Sequence, residues 1–225
     1  MGIDPDDLSL RTMISIDFKK LNTVLFLGAH ADDIEIGCGG TILKLVREYP
    51  NLNIWWVVFS ARATRKNEAR ASAQAFLNGI RNQRVVVEGF KDAFFPVQGE
   101  AIKRQFEKLK KQVQPDLVFT HYRDDRHQDH RVLSDLAWNT FRNHVILEYE
   151  IPKYDGDLGS PNFYVRLDEE TCHRKTKQLD TFFQTQSNKH WFSADTFLSL
   201  MRLRGMECAS NSKYAEAFYC RKVVL

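Results

Sequence analysis

The sequence lacks the features that mark several large classes of protein. No apolar run reaches the roughly 18 residues that a membrane-spanning helix needs, and the mean hydropathy is −0.42. The 225 residues include only four cysteines, which lie far apart and form no CxxC pair. This spacing disfavours a disulfide framework or a cysteine zinc site, and it fits a reducing cytoplasm. The net charge of +3, from 32 basic and 29 acidic residues, is too balanced to indicate nucleic acid. We therefore expect a cytoplasmic protein with no membrane or nucleic-acid partner.

Motifs that bind nucleotide phosphates are also missing. The stretch LGAHADDIEIGCGG at 27–40 follows an apolar run, but its glycine spacing does not match GxGxxG. No GK[ST] follows it, so it is not a Walker loop. Its adjacent aspartates would repel a phosphate at a helix N-terminus, so the stretch does not indicate a phosphate site.

Apolar runs alternate with helical patterns through the first two thirds of the chain. The strands predicted there are 23–27, 53–59, 84–88 and 117–120, and the helices are 41–49, 66–77, 100–113 and 129–141. This alternation predicts an α/β, Rossmann-like three-layer sandwich with a mostly parallel sheet and helices on both faces. After a loop at 153–164 the pattern predicts a strand at 163–166, helices at 168–186 and 194–205, and a strand at 217–224.

One domain accounts for most of this length. We expect residues 1–20, which are acidic and polar at the start, to form a flexible leader and not a secretory signal. Residues 21–225 are predicted to form a single domain, in which 151–225 is an extension that shapes a substrate pocket.

Polar clusters follow the predicted parallel strands, at the edge of the sheet where such folds bind ligands. His30 and Asp33 lie three residues apart after the first strand, and HYRDDRHQDHR at 121–131 follows the fourth. Imidazole nitrogen and carboxylate oxygen are common zinc ligands, and three of them leave a position open for water. A histidine at 121, 127 or 130 could supply the third ligand, and a helix would place His127 and His130 on one face.

The same residues suggest a division of roles in hydrolysis. Neighbouring Asp32 and Asp33 cannot both point at one ion, so one can bind the metal while the other accepts a proton from water. His127 with Asp129 as its partner could stabilise an oxyanion and protonate a leaving group. Two simpler interpretations stay open at this point. The aspartates could cap a helix, and RDDRHQDHR could be a solvated charged turn.

Two motifs carry a resemblance to a known family. AHADDIEIGCGGT at 29–41 and HQDH at 127–130 resemble the paired signatures of the PIG-L/LmbE-like zinc-dependent N-acetylglucosaminyl de-N-acetylases. The resemblance covers roughly residues 22 to 150. Ala31 stands where the family usually has proline, and Asp125 stands where some relatives have an aromatic residue.

The resemblance implies a role for each matching residue. His30, Asp33 and His130 would bind one zinc ion per chain, and Asp32 would be the general base. His127 would support the tetrahedral intermediate and act as the acid, with Asp129 as its partner. The substrate contacts implied by the family are Arg65, in an Arg-x-x-Glu pattern with Glu68, and Asp92.

We therefore predict a hydrolase that removes acetyl from an N-acetylated amino sugar or sugar conjugate, giving a free amine and acetate. Three alternatives stay open: hydrolysis of another N-acyl amide in a thiol or antibiotic intermediate, a non-catalytic metal-binding module of the same fold, and a Rossmann-type cofactor binder. The expected partner is a small molecule. The sequence leaves the exact substrate and the oligomeric state open.

Overall fold

The computed structural model describes residues 21–224, so the predicted leader at 1–20 lies outside the described residues. The strands are β1 (Thr23–His30), β2 (Asn53–Ser60), β3 (Asn82–Val87), β4 (Leu117–His121), β5 (Val145–Tyr149), β6 (Phe163–Leu167) and β7 (Tyr214–Cys220). The α-helices are α1 (Asp33–Glu48), α2 (Ala63–Phe76), α3 (Gly99–Gln112), α4 (Gln128–Thr140), α5 (Glu169–Phe182) and α6 (Ala194–Glu207). Short 3-10 turns span Phe95–Gln98 and Gln184–Gln186.

The strands form one seven-stranded sheet in the order β3-β2-β1-β4-β5-β7-β6. Strands β1 to β5 all run parallel to one another, whereas β7 is antiparallel to both β5 and β6. The predicted α/β fold with a mostly parallel sheet is confirmed. The chain winds from β1 to β3 on one side and then returns to β4 on the other. In such sheets a ligand crevice opens at the carboxyl ends of the two central strands, here β1 and β4.

Alternate residues of the central strands pack into two separate cores. Val24 and Phe26 face the core beneath α1, α2 and α5, whereas Leu25 and Leu27 face the core beneath α3 and α4. All four side chains are fully buried, as expected for strands with helices on both faces. The sheet therefore supplies a rigid platform for the loops at its carboxyl edge.

Helix α1 is broken in the middle, at Cys38, where φ is −145° and ψ is 19°. Glu216 of β7 accepts hydrogen bonds from the Gly40 and Thr41 amides at 2.8 and 2.6 Å. Lys175 of α5 donates to the Ile36 carbonyl at 2.6 Å and pairs with Glu216 at 2.7 Å. This buried ion pair supplies hydrogen-bond partners to both helix ends that the break creates.

The main differences from the prediction are in four elements, one of which is β7, spanning Tyr214–Cys220 instead of 217–224. Helix α1 begins at Asp33, well before the predicted start at residue 41, because contacts with the rest of the fold hold a segment of low helix propensity. Strand β5 was not predicted, since its apolar residues follow the predicted helix at 129–141 almost directly and do not stand out from that apolar pattern. The predicted helix at 168–186 ends at Phe182 and is followed by the 3-10 turn at Gln184–Gln186. Within residues 21–224, no helix combines the length and apolarity needed to span a membrane.

Gly37 offers a test of how tightly α1 is seated. A Cβ atom there would lie 2.2 Å from the ring of Tyr149, and this ring is held by a hydrogen bond from its hydroxyl to the Leu27 carbonyl at 2.7 Å. We expect Gly37→Ala to lower the free energy of unfolding by about 1–3 kcal/mol or more, measured by urea denaturation. Gly99→Ala is the control, because its added Cβ meets nothing within 4 Å. Equal stability of the two variants would contradict this packing.

Candidate active site

The candidate site lies at the carboxyl ends of β1 and β4. His30 is the last residue of β1, and Asp33 opens α1 three residues after the strand ends. His127 is the N-cap of α4, and His130 lies in the first turn of that helix. The topology therefore brings together two motifs that are about a hundred residues apart in the sequence.

Three potential ligand atoms meet at the centre of this site. His30 Nδ1 lies 3.2 Å from Asp33 Oδ2 and 3.1 Å from His130 Nε2, and Asp33 Oδ2 lies 3.5 Å from His130 Nε2. Ligand atoms on a tetrahedral zinc ion, with bonds of about 2.0–2.1 Å, are about 3.3 Å apart. The three predicted ligands are thus spaced as zinc ligands would be.

The outer nitrogens of both histidines indicate which tautomer each adopts. His130 Nδ1 lies 2.9 Å from Asp125 Oδ2, and His30 Nε2 lies 3.0 Å from Asp92 Oδ1 and 3.3 Å from Asp129 Oδ2. An outer N–H that donates to a carboxylate leaves the inner nitrogen with a lone pair. The two inner nitrogens therefore present lone pairs beside the Asp33 carboxylate, an arrangement that requires a proton or a metal ion between them.

The pKa values of Asp33, His130 and His30 bear on whether a positive charge can lie between them. Burial opposes ionisation of Asp33, but His130, His30 and His121 hold its pKa well below the ordinary value. Burial, reinforced by His121, lowers the pKa of His130 to about 3. Burial would also lower the pKa of His30, yet Asp33 and the carboxylates at its outer nitrogen raise it well above its usual range.

His121 is the other histidine beside Asp33, at 3.2 Å from Nε2 to Oδ2. It forms a further cluster with Asp33 and His130 that could hold a metal. However, the same Nε2 accepts the Ala29 amide hydrogen at 3.0 Å, so its lone pair is already used. His121 is also fully buried and stacks on His130 with ring centroids 3.9 Å apart. His121 packs against two of the predicted ligands, His130 and Asp33, and is a poorer candidate ligand than His30.

The predicted base, Asp32, is held by an arginine. Arg65 in α2 contacts Asp32 Oδ1 at 2.5 Å, and Asp32 is almost completely buried. Burial raises the pKa of Asp32 above its ordinary value, although the Arg65 guanidinium opposes that shift. Arg65, predicted as a substrate contact, is thus placed against the base as well as on the wall of the pocket.

The expected pairing of the His127 ring with the Asp129 carboxylate is not what the structure shows. Asp129 contacts His127 through its backbone amide, which donates to His127 Nδ1 at 3.2 Å. The Asp129 carboxylate instead accepts the Ala93 and Phe95 amides at 2.7 and 3.1 Å and faces His30. The reason is local: the start of α4 places the Asp129 amide under the N-cap side chain and turns its carboxylate away.

The N-cap hydrogen bond has a consequence for His127. Because Nδ1 accepts a hydrogen bond, the neutral ring carries its hydrogen on Nε2. Burial and the nearby His30 lower the pKa of His127, which favours this neutral form. His127 is therefore arranged as a hydrogen-bond donor toward the pocket.

A cavity of about 590 Å³ opens above these residues, a size suited to a small-molecule ligand. Every predicted site residue except Asp129 lines it, including Asp92. The Asp92 side chain is 73% exposed and contacts His30, and that hydrogen bond lowers its pKa to about 2. Residues within 151–155 and 186–191 supply part of the wall.

The predicted division of the chain, a single domain in which 151–225 is an extension that shapes the pocket, stays a prediction.

Glu68, the second residue of the Arg-x-x-Glu pattern, joins α2 to the chain segment at 185–191, part of which lines the cavity. Glu68 accepts hydrogen bonds from the Thr185 amide at 3.0 Å and from the Thr185 hydroxyl at 2.6 Å. Arg65, on the same helix, contacts Asp32. The pattern therefore links the candidate base to the pocket wall through one helix.

Sequence reasoning missed two residues that hold the site. Asp125 contacts His130, and Lys153 contacts Asp125 at 3.0 Å. Asp125 lies inside a segment rich in charge, and its sequence position does not indicate that it, and not its exposed neighbour Asp124, contacts His130. Lys153 lies in a loop, and its proximity to the site depends on the pairing of β4 with β5.

The chain matches the model of a known protein family. The family model described as PIG-L, GlcNAc-PI de-N-acetylase, matches residues 25–141. This range holds both motifs and every predicted site residue.

Similar solved structures share the fold at low sequence identity. N,N'-diacetylchitobiose deacetylase from Pyrococcus horikoshii has a TM-score of 0.71 and 22% identity, covering 91% of this chain and 85% of that one. A zinc-inhibited form of teicoplanin deacetylase Orf2 has a TM-score of 0.67 and 14% identity, with coverages of 88% and 97%. GalB, the 4-carboxy-2-hydroxymuconate hydratase of Pseudomonas putida KT2440, has a TM-score of 0.71 and 15% identity, with coverages of 91% and 98%. At these identities the likeness shows the fold, and a hydratase among them means that the fold alone does not define the reaction.

The bond between Glu68 and Thr185 can be tested directly. We expect Glu68→Ala to speed hydrogen exchange at the Thr185 amide by roughly tenfold, because a hydrogen bond to a charged group contributes about 1.5–3 kcal/mol and this one is partly exposed. Exchange measured by NMR or mass spectrometry over 184–191 would report it. Glu100→Gln, an exposed glutamate on α3, is the matched control. Unchanged exchange in Glu68→Ala would show that this bond does not hold the wall.

Proposed function

This chain belongs to the PIG-L family, described as GlcNAc-PI de-N-acetylase, and from that premise we propose a zinc-dependent N-deacetylase. Its substrate is an N-acetylated amino sugar or sugar conjugate, and its products are a free amine and acetate. The observation that carries the proposal is the cluster of His30 Nδ1, Asp33 Oδ2 and His130 Nε2, separated by 3.1–3.5 Å at the base of the cavity.

His30, Asp33 and His130 are the residues that would hold the zinc ion. The ion would supply Lewis-acid chemistry, which polarises an amide carbonyl and acidifies water. The other residues of the cavity have roles that follow from their own contacts.

Asp32 is the proposed general base. It lies beside Asp33 on the cavity wall, and its raised pKa makes its carboxylate a better proton acceptor than an exposed aspartate. It takes a proton from the water that attacks the acetamide carbonyl carbon. Arg65, in contact with Asp32 Oδ1, orients this carboxylate while keeping it ionised.

His127 is the proposed oxyanion donor. Its Nε2–H would stabilise the negative charge that develops on the carbonyl oxygen. The C–N bond then breaks as Asp32 returns the proton taken from water to the departing nitrogen, which gives the free amine and acetate. As an oxyanion donor His127 acts as a neutral imidazole, and it does not require the Asp129 carboxylate as its partner. Asp129 instead fixes the outer nitrogen of His30.

Arg65 and Asp92 remain the proposed substrate contacts. Both line the cavity, and the exposed Asp92 carboxylate can accept hydrogen bonds from sugar hydroxyls. A panel of N-acetyl sugars, sugar conjugates and other N-acyl amides, with amine release as the readout, tests the substrate class. Turnover only of amides that lack a sugar would replace the amino-sugar assignment with the wider N-acyl one.

The metal ligands can be tested by metal content. We expect the wild-type protein, dialysed against zinc, to hold about one ion per chain, and Asp33→Ala or His130→Ala to lose it, because two remaining ligands bind zinc weakly. Emission spectroscopy measures the metal, and circular dichroism checks the fold. Wild-type protein that holds zinc but releases no amine from any amide would favour the non-catalytic metal-binding module, and wild-type protein that holds no zinc would contradict the proposed metal site.

The base can be separated from the ligands by Asp32→Asn. We expect this variant to keep its zinc and its fold but to lose turnover by about 10²- to 10⁴-fold, the usual contribution of general base catalysis. Asp135→Asn, an exposed position on α4, is the matched control and should retain wild-type turnover. Full activity in Asp32→Asn would exclude this residue as the base.

A further inference from the structure

Asp125 lies between the two histidines of the HQDH motif and the loop that follows β5. Its Oδ1 accepts the His127 amide at 2.8 Å, and its Oδ2 lies 2.9 Å from His130 Nδ1. The side chain is 3% exposed, so these bonds form out of contact with water. One carboxylate thus fixes the backbone of the oxyanion donor and the ring of a metal ligand.

Lys153 completes this arrangement from the pocket wall. Its ammonium lies 3.0 Å from Asp125 Oδ2 and also pairs with Asp157, with its own side chain 9% exposed. Asp157 in turn accepts the Arg126 amide at 2.7 Å. The charged groups of Asp125, Lys153 and Asp157 therefore join the loop before α4 to the loop after β5.

The bond to Asp125 decides which nitrogen of His130 faces the site. A carboxylate can only accept, so His130 must carry its hydrogen on Nδ1, which leaves the Nε2 lone pair toward Asp33 and His30. The opposite tautomer would direct an N–H at the position where the proposed metal binds. Lys153 disfavours it further, because its ammonium keeps the facing carboxylate charged and in place.

We propose that Asp125, held by Lys153, is a positioning residue that fixes His130 in the metal-binding tautomer and so sets the affinity of the site for zinc. This rests on the proposed function, since it assumes that His130 is a zinc ligand. Partners of this kind typically contribute 10- to 100-fold in metal affinity. The role does not follow from either motif, and Asp125 stands where some relatives have an aromatic residue.

The tautomer can be read in the metal-free protein. In ¹⁵N-histidine-labelled wild type, we expect the long-range ¹H–¹⁵N correlations of His130 to show hydrogen on Nδ1. In Asp125→Ala we expect a mixture of tautomers or the Nε2–H form. A change in stability alone would leave this pattern unaltered, so the measurement distinguishes positioning from general support of the fold.

Zinc affinity gives the second readout, by competition with a chelating dye. We expect Asp125→Ala to bind zinc about 10- to 100-fold more weakly than wild type. Asp125→Asn should fall between them, because its amide oxygen can still accept from His130. Lys153→Met should weaken binding in the same direction while leaving Asp125 in place, and it serves if Asp125→Ala does not fold. Asp124→Ala, the exposed neighbour, is the matched control and should bind as wild type does.

Two results would overturn the proposal. One is a folded Asp125→Ala, or Lys153→Met in its place, that binds zinc as tightly as wild type. The other is a wild-type His130 with its hydrogen on Nε2. Failure of the proposed function looks different, because the wild-type protein itself would then bind no zinc.

Discussion

The structure of the site depends on one buried carboxylate. Asp33 Oδ2 is the shared neighbour of His30, His121 and His130, at 3.2, 3.2 and 3.5 Å, and it also accepts the His30 amide at 2.6 Å. A carboxylate removed from water is costly unless it is paired and hydrogen-bonded. Its position in the first turn of α1 adds the favourable field of a helix N-terminus. The residues around Asp33 are therefore arranged to stabilise a positive charge between them, which either a proton or a metal ion can supply.

Much of the fold could be predicted because the apolar runs are long and the strands are buried on both faces. The runs at 23–27 and 53–59 correspond to the central strands β1 and β2, and the order of strands and helices was enough to indicate where the ligand crevice would lie. What could not be predicted depends on distant contacts. The first half of α1 packs Gly37 against the ring of Tyr149, which is more than a hundred residues away in the sequence, and β5 follows a predicted helix too closely to stand out from it.

The candidate site shows the same limit at the level of single side chains. The residue types at positions 30 and 33, with a histidine at 121, 127 or 130, indicated a metal site, and the family resemblance implied position 130. The structure brings 30, 33 and 130 together. The partner assigned to each histidine was harder to predict. The Asp129 carboxylate faces His30 instead of His127, and Asp125 holds His130. Spacing along a helix limits which residues can be close, but the rotation of a carboxylate about its own bonds is decided by the amides around it, here those of Ala93 and Phe95.

The break in α1 also bears on the order in which a newly made chain can complete its site. The first half of α1 presents Asp33, yet the groups that cap the break come from Lys175 and Glu216, near the other end of the chain. During synthesis the histidines and aspartates of both motifs emerge well before Glu216 does. A nascent chain therefore exposes every proposed ligand while the helix that positions Asp33 still lacks its support. In the finished structure, the helix that presents Asp33 is therefore completed only by residues that follow both motifs in the sequence.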